Sequence, residues 1–213
     1  QRRPIYRQGV SRHNYCTQNL VIAKTQKEVE HLRTAGKVLG DVLRDVVALV
    51  GPGITAAQLD RAAEKSIKTR GAVSSFLGYK PDGARFPYPA VLCVSVNSEI
   101  VHGIPSEEKI LKEGDVVSLD LGLSYKGFFV DSATTLCVGR GDVRAKKLLA
   151  ATQDATAAAI AVARVGKHIG DIGAAVERVA ASSGFSIIED LGGHAVGGAV
   201  HEKPFIPNRG IKG

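Results

Sequence analysis

Val116-Val117-Ser118-Leu119-Asp120-Leu121-Gly122-Leu123-Ser124-Tyr125-Lys126-Gly127-Phe128-Phe129-Val130-Asp131 is the stretch on which the fold turns. Residues 116–123 read as one strand, residues 128–138 as the next, and residues 124–127 as the turn of an antiparallel hairpin. Each apolar strand carries a carboxylate, Asp120 on the first and Asp131 on the second. A carboxylate in such surroundings is costly unless it is paired, hydrogen-bonded or bound to a cation. One such aspartate alone reads as facing solvent on a half-exposed strand. Two on facing strands can converge on one cation, and metal binding is the expectation here.

Residues 91–96 form a further expected strand. Upstream, Thr25-Gln26-Lys27-Glu28 reads as a capping box, in which hydroxyl and carboxylate satisfy free amides at a helix start. Val29, Leu32, Val38, Leu39, Val42, Leu43 and Val46 then make a helical stripe that Gly51-Pro52-Gly53 ends. Thr55 suits the cap of a second helix, with Leu59, Ala62, Ala63 and Ile67 on its apolar side and Gly71 as its stop. Downstream, helices are expected over residues 143–165 and 171–182. The order repeats: Val50-Gly51, Ile54, a helix and Gly71 are echoed by Val165-Gly166, Ile169, a helix and Gly184. The fold class is therefore α+β, in two halves of helix, loop, helix and antiparallel sheet. Asp120 lies 49 residues beyond Gly71, whereas 29 residues follow Gly184. The second half is thus expected to be incomplete, lacking its hairpin, and the turn-rich end after Pro207 is expected to add no strand.

Composition narrows the function classes. The 213 residues are 44% hydrophobic and 23% charged, with no apolar run long enough for a membrane span and no secretory leader pattern. Cys16, Cys93 and Cys137 are far apart and make neither a disulfide framework nor a paired zinc motif, which fits the cytoplasm. Of the net charge of +7, residues 1–27 supply six basic side chains and no acid, leaving +1 for the rest. Residues 1–21 are expected to be a disordered basic extension, chemically suited to contact with a ribosomal surface. The absence of GxxxxGK[ST] and GxSxG motifs argues against an NTPase and a serine hydrolase.

A second constellation is Gly192-Gly193-His194-Ala195-Val196-Gly197-Gly198-Ala199-Val200-His201-Glu202-Lys203-Pro204. Two histidines seven apart among glycines suggest a backbone that approaches something closely. Such histidines can bind a catalytic metal or hydrogen-bond a substrate carbonyl; an incidental glycine-rich turn is the alternative. His102, within Val101-His102-Gly103-Ile104-Pro105, reads alone as a structural loop residue. His31 is expected on the solvent side of its helix, and His13 and His168 have no evident partner.

Together these motifs resemble type I methionine aminopeptidase, from about Ile22 to the end of the chain. The resemblance rests on the His-Gly-Ile-Pro element at residues 102–105, Asp120 and Asp131, Gly193-His194, and His201-Glu202-Lys203-Pro204. It extends to Ala72-Val73-Ser74 and Leu77-Gly78-Tyr79. It implies a pita-bread fold, two pseudo-symmetric halves around a curved antiparallel sheet, over residues 22–213. It implies two divalent metal ions (cobalt, manganese, iron or zinc), with Asp120, Asp131 and His194 among the ligands and Asp131 bridging. By the same likeness, the metals activate a water as hydroxide to remove initiator methionine from nascent polypeptide N-termini. His102 and His201 would position the substrate and stabilise the tetrahedral intermediate, and Phe76, Tyr79, Tyr88 and Cys93 would line the methionine pocket. The implied enzyme is a cytoplasmic monomer.

The chain also departs from the family. The two glutamate ligands expected beyond His201 are absent, since Glu202 belongs to the His-Glu-x-Pro motif, so the chain as it stands is expected to bind metal weakly and to be inactive without them. Phe76 stands where a smaller residue is frequent, and residues 80–87 look like an insertion beside the pocket. Two other readings follow: a catalytically silent pita-bread binding protein associated with ribosomes, or an Xaa-Pro metallopeptidase, which the His-Gly-Ile-Pro element disfavours.

Overall fold

The computed structural model describes residues 25–81 and 83–213; the basic segment 1–21, with His13 and Cys16, lies outside them. Helix α1 (Gln26–Val47) starts at the expected capping box, with Thr25 Oγ1 accepting from the Glu28 amide and the Glu28 carboxylate accepting from the Thr25 amide. Helix α2 (Ala56–Thr69) repeats the device with Thr55 and Gln58 and gives way to Gly71 at φ +67°, a conformation that suits glycine. Their apolar stripes (Ala35, Leu39, Val42 and Val46 on α1; Leu59, Ala63 and Ile67 on α2) pack on one face of a four-stranded antiparallel sheet.

That sheet comprises β1 (Val73–Ser74), β2 (Leu92–Val96), β3 (Val116–Tyr125) and β4 (Phe128–Cys137). Strand β3 pairs with β1 and β2 along one side and with β4 along the other. The alternation along β3 sorts its side chains. Val117, Leu119, Leu121 and Leu123 are fully buried against the helices, each burial contributing about 1.5–3 kcal/mol. Ser118, Asp120 and Gly122 lie on the opposite face. The hairpin turn is tighter than the sequence suggests: only Lys126 and Gly127, at φ +51° and +82°, separate the strands. Two successive positive φ values match the twist of the flanking strands.

Asp60, a residue that sequence reasoning does not single out, ties α2 to the sheet. Its Oδ1 accepts from the Val91 and Leu92 amides at 2.9 and 3.0 Å, and burial raises its pKa despite those bonds. Asp60→Ala leaves both amides without their partner and is expected to cost about 1–3 kcal/mol. A lower urea midpoint at unchanged m-value checks this, with Asp60→Asn retaining most of the stability.

The second half repeats the order. Helix α3 (Val143–Val162) is followed by α4 (Ile169–Ser182), then Gly184 at φ +78°, then β5 (Gly192–Ala195) and β6 (Glu202–Pro207). The antiparallel pair β5–β6 lies in a stretch that the sequence does not mark as strand, while residues 208–213 form none, in line with the turn-rich reading. Two proline positions and four glycines mask its strand character, and a register irregularity after His194 breaks the alternation. Its core is thin: Val143, Ile160, Val165, Phe205 and Ile211 stay exposed. Two histidines also differ from expectation. His31 is half-buried and meets the Phe128 ring edge-on at 5.0 Å, because the turn of the hairpin reaches over α1. His168 is the N-cap residue of α4, and its amide donates to Asp171. No helix among the described residues is long and apolar enough to cross a membrane.

Candidate active site

The face of the sheet turned away from α1 and α2 carries the site. Register places Cys93 opposite Asp120 and Gly122 opposite Asp131. The two aspartates are therefore diagonal neighbours on one face, within mutual reach. Asp120 is driven up to about pH 7, first by burial and then by the adjacent Asp131 charge. Two carboxylates this close disfavour the ionised form of the more buried one, here Asp120.

Strand β5 brings His194 to the same point. Its Nε2 lies 3.3 Å from Asp131 Oδ2, with the two side chains 24% and 15% exposed. The contact with Asp131 raises the His194 pKa, against the effect of burial. The other ring nitrogen, Nδ1, is 3.1 Å from the Ala195 carbonyl, to which it donates. That bond aims Nε2 at the carboxylates. His201 stacks beside His194, ring centroids 4.4 Å apart, and its Nδ1 is hydrogen-bonded to the Tyr79 hydroxyl at 2.9 Å. Although His201 is exposed as a residue, its ring is enclosed enough that burial, and then the neighbouring His194, lower its pKa.

His102 reaches the site from the loop after β2. Its φ of +57° is uncommon outside glycine and is held by Gly103, whose amide donates to the buried Ser95 hydroxyl and whose carbonyl accepts from the Val94 amide. A side chain at 103 would strike the Val94 carbonyl. His102 is near enough to disfavour a charge on His201.

An apolar pocket adjoins these groups. Phe76, Cys93 and Val200 are buried together, with Tyr79, Tyr88 and Phe129 packed against them. Burial pushes the Cys93 thiol up to about 12, so it stays protonated and serves as a small apolar surface. Tyr88 meets Phe76 edge-on, and its hydroxyl donates to the Leu92 and Gly103 carbonyls. The phenol therefore braces the His102 loop, and burial raises its pKa. Val200 and Phe129 were not among the residues marked in the sequence; only their flanking of His201 and Asp131 could have signalled them. Gly122 keeps room for the pocket, since a Cβ there would fall inside the Phe76 ring contact. Gly122→Ala is expected to displace Phe76, costing about 1–3 kcal/mol of stability and raising KM for an apolar first residue, checked by steady-state kinetics and thermal melting.

The structure thus gathers Asp120, Asp131, His194 and His201 at the polar end and Phe76, Tyr79, Tyr88 and Cys93 around the pocket, with His102 exposed on the neighbouring loop that Tyr88 braces. Two further signs fit a divalent cation. Asp131 Oδ1 is buried with no hydrogen-bond partner among the described residues, and His194 has the carbonyl-fixed tautomer of a metal-ligating imidazole. Among the described residues, no three acidic, histidine or cysteine side chains are yet drawn together as a complete metal cage. His194 and Asp131 contact each other directly, and their donor types fit a divalent cation.

The profile of metallopeptidase family M24 matches residues 30–213. The chain is 46% identical over 184 residues to the methionine aminopeptidase of Aquifex aeolicus, covering 86% of this chain and 71% of that one. This chain belongs to the methionine aminopeptidases of family M24. Among solved structures it resembles the methionine aminopeptidase of Thermotoga maritima, at a TM-score of 0.86 and 38% identity, over 91% of this chain and 76% of the other. The two-halved arrangement is accordingly the family's pita-bread fold. The prolidase of Pyrococcus horikoshii, at 22% identity and a TM-score of 0.73 over 88% of this chain and 51% of that one, shares the fold alone.

Proposed function

We propose that this chain carries the catalytic machinery of a methionyl aminopeptidase, which releases methionine from the N-termini of nascent polypeptides. The observation that carries the reading is the meeting of the Asp120–Asp131 pair and His194 with a small apolar pocket whose wall includes Cys93. Asp120, Asp131 and His194 would hold divalent metal, which when bound supplies Lewis acidity and an acidified water. Donors of this kind, carboxylate oxygens with one imidazole, would suit manganese, iron, cobalt or zinc, and the unpartnered Asp131 Oδ1 would be free to take part in holding such a cation.

The chain's own residues do the rest. The pocket of Phe76, Cys93 and Val200 takes an unbranched apolar side chain and excludes water from it. A neutral His201, favoured by its lowered pKa, accepts at Nδ1 from the Tyr79 hydroxyl and keeps Nε2–H to donate to the first peptide carbonyl. That donor meets the charge that develops on the carbonyl oxygen. His102, on a left-handed backbone beside the site, would help to position the substrate.

Release of methionine from Met-Ala-Ser by the protein taken from its natural source and supplied with manganese or cobalt tests this, against Ala-Pro-Ser and N-acetylated Met-Ala-Ser. Free methionine from the first peptide alone is expected; preferential cleavage before proline would transfer the assignment to the prolidase-like reading. The incomplete cage among the described residues favours one alternative, a non-catalytic binding protein of the same fold. Tight peptide binding without turnover at any metal concentration would establish that one instead.

A further inference from the structure

Glu202 follows His201 directly, yet its carboxylate turns away from the site. Oε1 accepts from the Gly198 amide at 2.6 Å and from the Ala199 amide at 2.9 Å. Oε2 is buried and has no hydrogen-bond partner among the described residues. A glutamate beside a solvent-exposed histidine would ordinarily point to water, because burying an unpaired carboxylate oxygen is costly. The cost is offset only by what the other oxygen holds. What it holds is the turn joining the two histidines of the site. The carbonyl of Gly197, at the start of that turn, accepts from the Phe129 amide of β4 at 2.8 Å, two residues before Asp131. The turn is thus pinned at one end to the strand of the carboxylates and at the other to Glu202. Next to it, Val200 is buried against Phe76 and Cys93, while the His201 ring meets the rings of His194 and Tyr79 and is hydrogen-bonded to the Tyr79 hydroxyl.

We propose that Glu202 is a positioning residue, whose carboxylate clamps the 197–199 turn and so holds His201 against His194 at the reacting carbonyl. This rests on the reading of the site as a methionyl aminopeptidase centre, but the clamp can be tested apart from activity. In the wild-type chain, the Gly198 and Ala199 amides should exchange slowly with deuterium, and an NMR contact between the His194 and His201 rings should be present. Glu202→Gln keeps an acceptor oxygen and should keep that ring contact. Glu202→Ala should lose it and lower kcat for Met-Ala-Ser about 10²-fold, the scale of a misplaced catalytic group, with KM changed by less than about threefold because Val200 retains its own packing. Unprotected Gly198 and Ala199 amides, an absent ring contact in the wild type, or a contact that survives in Glu202→Ala would each overturn the clamp. Should Glu202→Ala not fold, the wild-type exchange rates and the folded Gln variant decide alone, loss of the contact in the latter counting against the proposal. If no form releases methionine, the functional reading fails while the ring contact and the amide exchange still decide the role of Glu202.

Discussion

Asp131→Asn lowers kcat/KM for methionine release by about 10³-fold or more while leaving the fold intact. The side chain is 15% exposed, faces His194 through Oδ2 and keeps Oδ1 buried without a partner. Asparagine fits the same space, so the packing around Gly122 and Phe129 is undisturbed. It removes the negative charge that both His194 and any shared cation require. Loss of several kcal/mol of Lewis-acid stabilisation corresponds to three or more powers of ten in rate. The check is steady-state release of methionine from Met-Ala-Ser at saturating metal, alongside a thermal melt. A variant that melts like the wild type and retains a tenth of the activity would show that Asp131 is not central.

The second large effect is on stability, and it has a pH signature. Burial and the neighbouring Asp131 raise Asp120 from an ordinary 3.8 to about 7. Between those two values the native chain binds more protons than the unfolded chain, so stability falls as pH rises through the window. Above pH 7 the full deficit is present; below pH 4 it has vanished. Asp120→Asn removes the ionisation and is expected to stabilise the metal-free chain by roughly 2–4 kcal/mol at pH 8, shrinking toward zero near pH 4. Urea denaturation at several pH values, with a chelator present, measures this directly. Adding a divalent cation should reverse the order, stabilising the wild type more than the variant, because the ionised pair then has its counter-charge. A pH-independent difference between the two proteins would mean that Asp120 does not titrate in this range.

The sequence made some of this legible and hid the rest for physical reasons. Helix starts were readable because Thr25 and Thr55 are local devices: cap and partner lie three residues apart, and the expected capping box at Thr25 and the expected cap at Thr55 both form, the latter as a full capping box with Gln58. The hairpin was readable because alternation along β3 fixes its register, and register alone puts Asp120 and Asp131 on one face. Strands β5 and β6 were not, since glycine and proline carry little strand propensity and the pairing depends on contacts with α4. Helix α3 ends at Val162 and not at 165, and α4 begins at Ile169 and not at 171, the usual uncertainty of helix ends. Asp60 carries no mark in the sequence, and Glu202 is marked there only as part of its motif and not for what it holds, for a common reason. Each acts through backbone amides, and an amide partner leaves no mark on the side-chain pattern. The site itself was visible as residue types in order, but the hydrogen bond that orients His194, the burial that raises the Asp120 pKa and the bracing role of Tyr88 belong to the folded geometry.

Anomalous diffraction from crystals of this chain soaked in manganese or cobalt is the most direct measurement of the central claim, that Asp120, Asp131 and His194 converge to hold divalent metal beside the apolar pocket. The account predicts an anomalous peak in contact with all three side chains, with His194 Nε2 drawn off Asp131 and its Nδ1 still bonded to the Ala195 carbonyl. A peak elsewhere, or an unchanged His194–Asp131 contact with no metal beside it, would contradict it.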